Sequence, residues 1–204
     1  MKAVALVVSA RKHGNCYDFA NYTLDRLQQD GIETELINFD DYQITPCQHC
    51  EYECIQHVDK QKGKDAACPI QDDVRKIWEK TWAAEILFIF IPNYGGLPPA
   101  LWLAFSQRAQ SLFKQAPLDK LKKSVVSAVV LAAPHQSSGA PWIYSLMGDE
   151  VKGLDRVVAG FEVINPTEYK IEYTFNPLIG LDDIQHRLDF LTDRTLQTAR
   201  EIAG

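Results

Sequence analysis

Apolar positions along this chain fall into two kinds of pattern, short unbroken runs and stripes spaced three or four residues apart. That is how buried strands alternating with amphipathic helices read in a sequence. Residues 3–9 form the first run and predict a strand. Residues 15–30 follow with Tyr17, Ala20, Leu24 and Leu27 on one helical face, Asn15 as the cap and Gly31 as the stop. Residues 34–39 predict a second strand, and residues 71–82 a helix with Asp72 and Asp73 in its first turn and Val74, Ile77 and Trp78 inward. Residues 84–91, interrupted only by Glu85, suit a central strand covered on both faces. The helix after it places Leu101, Phe105, Ala109 and Leu112 on one stripe. Residues 125–133 and 161–164 predict strands four and five, and residues 181–202 a last helix with Ile184, Leu188, Leu191 and Ile202 inward. Alternating polarity at 169–175 suggests an extra edge strand or hairpin.

Strands alternating with helices from end to end predict an α/β domain whose parallel sheet carries helices on both faces. A length of 204 residues fits one such domain over residues 1–204. Open sheets of this class bind ligands at the carboxyl edge of the strands, where the loops after strands one, three and four converge. Candidate chemistry is therefore sought in those loops.

Charge and cysteine content narrow the function. A net charge of −6 and a pI near 5.4 argue against nucleic acid as a partner. The apolar stretches at 83–91 and 125–133 are too short to span a bilayer as helices, so no membrane partner is expected. Lys2 and the run behind it imitate a signal peptide only briefly before the polar segment starting at Ser9, which favours a cytoplasmic location. There the five cysteines are expected as reduced thiols rather than disulfides, unless they bind metal or do redox work.

The first strand runs into Ser9, Arg11, Gly14, Asn15 and Cys16 at the start of a helix. A strand feeding a polar turn at a helix N-terminus gathers backbone N–H groups and the positive helix end, which suits an anion. Neither a G-x-G-x-x-G nor a G-x-x-x-x-G-K-[ST] pattern follows the strand. One glycine flanked by hydroxyl, guanidinium and amide side chains fits a terminal monophosphate; the alternative is a capped turn without ligand. After strand three, Pro92, Asn93, Tyr94, Gly95 and Gly96 form a loop whose glycines permit close backbone approach to a flat ligand. His135 lies in the loop after strand four. No Ser-His-Asp or paired-carboxylate set stands out, so catalytic side chains are left unassigned. Cys47, Cys50, Cys54 and Cys68 supply enough thiolates for an iron–sulfur cluster or a tetrahedral zinc. Thirteen residues separate the last two, however, and unliganded thiols, including a redox pair of Cys47 and Cys50, are the favoured reading.

Taken in order, Ser9-x-Arg11-x-x-Gly14-Asn15, Pro46-Cys47-x-x-Cys50, Asp72-Asp73 and Pro92-x-Tyr94-Gly95-Gly96-x-Pro98 resemble the NAD(P)H-dependent FMN reductase and iron–sulfur flavoprotein branch of the flavodoxin-like superfamily. The resemblance covers roughly the first 110 residues. It implies a flavodoxin-like, doubly wound parallel sheet of five strands in the order 2-1-3-4-5, with FMN at the switch point; flavodoxin itself exemplifies that rule. By position it implies that Ser9, Arg11, Gly14 and Asn15 hold the FMN phosphate, with Cys16 where relatives place Thr or Ser. The loop from Pro92 to Gly96 would follow the isoalloxazine ring, and His135 falls where a third cofactor loop is expected. The function implied is an oxidoreductase taking hydride from NAD(P)H and passing electrons to a small-molecule acceptor such as a quinone, a flavin or an aromatic compound. Trp102, Trp142 and Tyr144 are candidates for an acceptor pocket or a subunit interface, although aromatic residues at helical spacing are more often core. A homodimer or homotetramer is expected by analogy. The alternatives are an electron carrier with a cluster on the four cysteines, and a flavodoxin-like binding protein without flavin.

Overall fold

The computed structural model describes residues 1–50, 54, 68–108, 123–132, 156–169 and 177–204. Its parallel strands β1 (Lys2–Val7), β2 (Glu33–Asn38), β3 (Ile86–Pro92), β4 (Ser124–Leu131) and β5 (Arg156–Ile164) form one sheet in the order β2-β1-β3-β4-β5. This is the expected flavodoxin-like topology. Four helices are described: α1 (Asn15–Gln29), α2 (Val74–Trp82), α3 (Ala100–Gln107) and α4 (Asp182–Ala203).

Strand alternation builds a core on each face of the sheet. Ala3, Ala5 and Val7 of β1 and Ile86, Phe88 and Phe90 of β3 pack beneath α1 and α4. Val4, Leu6, Leu87, Ile89 and Ile91 point the other way, into a core shared with α2 and α3. There Trp78 stacks on Phe105 with ring centroids 4.6 Å apart, and Trp102 lies 6.0 Å from Phe105. Trp102 is fully buried. It belongs to the core, which corrects its expected role at an acceptor pocket or subunit interface.

Three boundaries differ from the sequence reading for physical reasons. The first helical residue of α1 is Asn15, so its cap is Gly14, and no side chain caps it. Helix α2 begins only at Val74, because the Asp72 carboxylate accepts from Thr45 N and Val74 N and lies in a buried ion pair rather than in a helical turn. Strand β5 starts five residues earlier than its apolar run suggested. Its pairing with β4 jumps from Val158 to Gly160, so Ala159 is a bulge that breaks the two-residue period. The edge element expected near 169–175 lies outside the described residues except for Tyr169, which ends a short 3-10 turn.

Behind the bulge, α4 presses directly on the strand. A Cβ on Gly160 would stand 2.3 Å from Leu191 Cδ1. Gly160→Ala is expected to lower stability by about 1–3 kcal/mol, the cost of overpacking a tight core contact. In urea unfolding the loss should shrink in a Leu191→Ala background, which opens the space. Strictly additive losses would show that the contact is not the cause.

Candidate functional site

The carboxyl edge of β1 and β3 opens into a cleft lined by Ser9, Arg11, Cys16, Pro92, Asn93, Tyr94 and Leu131. Six of these seven are residues that the sequence singled out. The exception, Leu131, is the last residue of β4, and its position opposite Pro92 in the parallel pairing puts it there. An apolar residue ending strand four was the only signal available for it.

One wall is the turn between β1 and α1. Ser9 is buried and its Oγ accepts the Arg11 N–H at 3.1 Å, which closes the turn. The first intrahelical bond runs from Asp18 N to Gly14 O, so the amides of Cys16 and Tyr17 lie in the anion-favouring first turn. Gly14 has an extended backbone that any residue can adopt, with φ of 176°. What a side chain there would meet is Arg11, since a Cβ would stand 3.0 Å from its Nη2 and the guanidinium would have to shift. Glycine lets the guanidinium lie over the helix start. Asn15 faces inward, and its Oδ1 accepts from Leu178 N at 2.9 Å, tying the helix start to the segment before α4. Asn38, at the end of β2, donates to Lys12 O at 2.7 Å and props the turn from behind. That role had no local signature, since it depends on β2 lying beside β1.

Cys16 replaces the expected hydroxyl with a buried thiol. Burial pushes its pKa up to about 12, although the nearby Arg11 pulls the other way. The side chain therefore stays a neutral S–H and adds no negative charge where an anion would sit.

The second wall is a tight hairpin. Tyr94 and Leu97 pair across it through N–H···O bonds of 2.9 and 3.2 Å. Gly95 and Gly96 between them have φ of 64° and 85°, the sign that a type I′ turn requires at both central positions. Buried Asn93 fixes the turn by accepting Gly96 N at 2.8 Å on its Oδ1. Tyr94, 43% exposed, reaches across to bring its hydroxyl 3.4 Å from Ser9 Oγ. The structure thus brings the phosphate-type turn and the glycine loop to one cleft. His135, Trp142 and Tyr144 lie outside the described residues.

A second group of side chains lies in the stretch between β2 and α2. Cys47, Cys50 and Cys54 are partly buried and Cys68 is buried. Burial first, and then the neighbouring Cys50, Cys68 and Cys47, raise the Cys54 thiol above its ordinary value. Among the described residues no three His, Cys, Asp or Glu side chains stand close enough to cage a single metal ion. At the base of this stretch Asp72 and Arg108 form a buried two-pronged ion pair, 2.7 Å from Nη1 to Oδ2 and 3.2 Å from Nη2 to Oδ1. Burial alone would raise the Asp72 carboxyl, but Arg108 and the Thr45 and Val74 amides outweigh it and hold the carboxyl below its usual value.

Comparison with known proteins agrees with this geometry. The pattern of the NADPH-dependent FMN reductase family matches residues 1–147. An iron-sulfur flavoprotein of Methanocaldococcus jannaschii is 33% identical over 96 residues, 47% of this chain and 45% of that protein. One from Methanosarcina thermophila is 29% identical over 109 residues, 53% of this chain and 52% of that protein. The chain thus spans about half the length of the curated relatives it matches. Among solved structures, RosB with a bound formylriboflavin phosphate intermediate superposes with a TM-score of 0.70 at 17% identity, over 100% of this chain and 80% of that one. A flavone reductase gives 0.68 at 14% identity, over 100% of this chain and 64% of that one. At such identities these two structures attest the fold.

A thiol with a pKa near 12 is thiolate in only about one molecule in ten thousand at pH 8. Cys16 in the folded, cofactor-free protein is therefore expected to resist iodoacetamide at pH 8, while the more exposed Cys47 and Cys50 react. Peptide mass spectrometry after timed labelling checks this. Labelling of Cys16 as fast as Cys47 would refute the buried neutral thiol.

Proposed function

We propose, from the premise that the chain belongs to the NADPH-dependent FMN reductase family, that it is a flavin-binding oxidoreductase holding FMN in the cleft between Ser9 and Tyr94. The observation that carries this reading is the meeting of two unlike surfaces at one sheet edge. One is an anion turn with a guanidinium over a helix start, the other a rigid hairpin with little side-chain bulk.

The residues fit the cofactor. Ser9 Oγ, Arg11 and the amides of Cys16 and Tyr17 would hold the phosphate, where the positive helix end offsets its charge. The backbone from Pro92 to Gly96 would lie along the ring, and the two glycines leave room for it. Asn93 keeps that backbone in place through Gly96 N. Bound FMN supplies hydride acceptance and onward electron transfer; the protein's part is orientation, exclusion of water and electrostatics. The electron donor is NAD(P)H and the acceptor a small molecule, a quinone, flavin or aromatic compound, entering over the exposed Tyr94 and Leu97 rim. A homodimer or homotetramer that covers the flavin accords with this open rim.

A second reading has its own support. Cys47, Cys50, Cys54 and Cys68 supply four thiols, the number an iron–sulfur cluster takes, and such a cluster is the group named in the curated relatives. A single tetrahedral zinc fits less well, since it needs all four sulfurs about 2.3 Å from one ion. Iron analysis and the visible spectrum of anaerobically purified protein separate the readings, because a cluster adds stoichiometric iron and broad absorption to the two flavin bands.

Arg11→Ala is expected to weaken FMN binding by about 1.5–3 kcal/mol, the worth of a hydrogen bond to a charged group. Fluorescence titration of the cofactor-free protein measures it. Unchanged affinity would remove Arg11 from the phosphate site, and failure of NADPH to bleach the loaded protein would remove the reductase reading.

A further inference from the structure

We infer that Asn15 is a positioning residue for the FMN phosphate: it holds the first turn of α1 in place through Leu178 and is not itself a ligand of the phosphate. The inference rests on the reading that FMN occupies the cleft between Ser9 and Tyr94.

A helix start is ordinarily closed by a Ser, Thr, Asp or Asn side chain that accepts from the second or third amide of the helix. In α1 the cap is Gly14, which has no side chain to offer, and the second and third amides are those of Cys16 and Tyr17. The same amides are the ones a bound phosphate would use. A capping side chain would compete with that ligand, so the start of α1 has to be secured without one. Asn15, the first helical residue, does this from inside the fold. It is 2% exposed, and its Oδ1 accepts the N–H of fully buried Leu178 at 2.9 Å. Leu178 is in turn fixed to the approach to α4, where its carbonyl accepts from Leu181 N at 3.0 Å and Gln185 Nε2 donates to Ile179 O at 2.9 Å. Cys16, Phe19 and Leu178 share one core with Ile184 and Leu188 of α4. The anion end of the cleft is thus braced on the last helix by a hydrogen bond between buried groups.

The residue type fits this task. Leu178 N lies in the core, where a donor without a partner is costly, so position 15 needs an acceptor. Aspartate would accept equally well, and its charge would suit a helix start that binds nothing. It would also repel a phosphate held there. A neutral carboxamide supplies the acceptor and leaves the positive helix end to the ligand. Two further ties join α1 to α4, Tyr22 donating to the Asp189 carboxylate at 3.1 Å and Arg26 Nη2 to Asp193 at 3.1 Å. Those lie further along α1, whereas Asn15 makes its tie at the cleft.

The test uses the cofactor-free full chain as wild type, Asn15→Ala and Tyr22→Phe, titrated with FMN and with riboflavin, which lacks the phosphate. Exchange of the Leu178 amide hydrogen is followed by NMR in wild type with and without FMN. Asn15→Ala is expected to weaken FMN at least about fivefold, the lower end of coupling between linked sites, and riboflavin by less than about twofold. Tyr22→Phe should change neither, and FMN should leave the Leu178 amide at least as protected as before. Faster Leu178 exchange on FMN binding would show Asn15 turning from Leu178 to the phosphate, and overturns the positioning role. Unchanged FMN affinity in Asn15→Ala, equal losses for FMN and riboflavin, or the same selective loss in Tyr22→Phe overturns it too, while the phosphate site stands. If wild type binds FMN no more tightly than riboflavin, the cleft holds no phosphate, and that reading fails with the inference. Should Asn15→Ala not fold, the exchange measurement on wild type decides.

Discussion

The placement of β1 beside β3, in parallel and with their following helices on opposite faces, is the constraint on which the rest depends. From Val7 the chain leaves toward α1 on one face, and from Pro92 it leaves toward α3 on the other. The two loops diverge, and a crevice opens between them at the point where strand order reverses. Full burial of both strands leaves that crevice little freedom to close. Every residue of β1 from Ala3 onward and all of β3 are buried, and the ladder extends past the strand ends through Val8 N to Phe90 O and Asn93 N to Leu131 O. The cleft is thus the rim of two buried, paired strands, and the flexible requirements of ligand contact fall on Arg11 and Tyr94.

Much of this was legible because it is local. Strand runs, helical stripes and the glycine pair at 95–96 express themselves over a few residues, and the parallel topology follows from their alternation. The anion turn was legible for the same reason. What escaped depends on contacts between distant segments. Asn15 reads as a cap but is drawn inward by Leu178, and Asn38 supports Lys12 across a strand pairing. For Trp102, core and pocket were both open readings of an aromatic at helical spacing, and packing against Phe105 decides for the core. The bulge at Ala159 erased the period that would have announced the start of β5. Asp72, a helix-start residue by composition, is claimed by an arginine 36 positions later.

The reasons for glycine differ between the two walls. At Gly95 and Gly96 the backbone is left-handed and a side chain would be strained whatever the surroundings. At Gly14 the backbone is ordinary, and the restriction comes from the Arg11 guanidinium overhead. The first pair shapes a surface, while the second positions a charge. The site therefore tolerates alanine differently at the two places: at Gly14 the flexible arginine has to move, whereas at the hairpin the turn itself has to change.

A buried ion pair is a costly way to stabilise a fold, since desolvation of both charges offsets most of their attraction, and apolar replacements of similar volume often do as well. Its presence at Asp72 and Arg108 therefore needs an explanation other than stability. The surrounding bonds supply one. An apolar pair could fill the same space, but it could not bind Thr45 through both its N–H and its carbonyl, nor hold the Ile70 carbonyl beside them. What the charges add is direction, fixing which backbone atoms meet. The network around Arg187, which binds half-buried Glu162 and exposed Glu168, is more open to water and its charges are better screened than those of Asp72 and Arg108. Directional bonding is of most use where two distant points of chain must be held in one relation, and the segment between residues 45 and 70, carrying four of the five cysteines, is such a place.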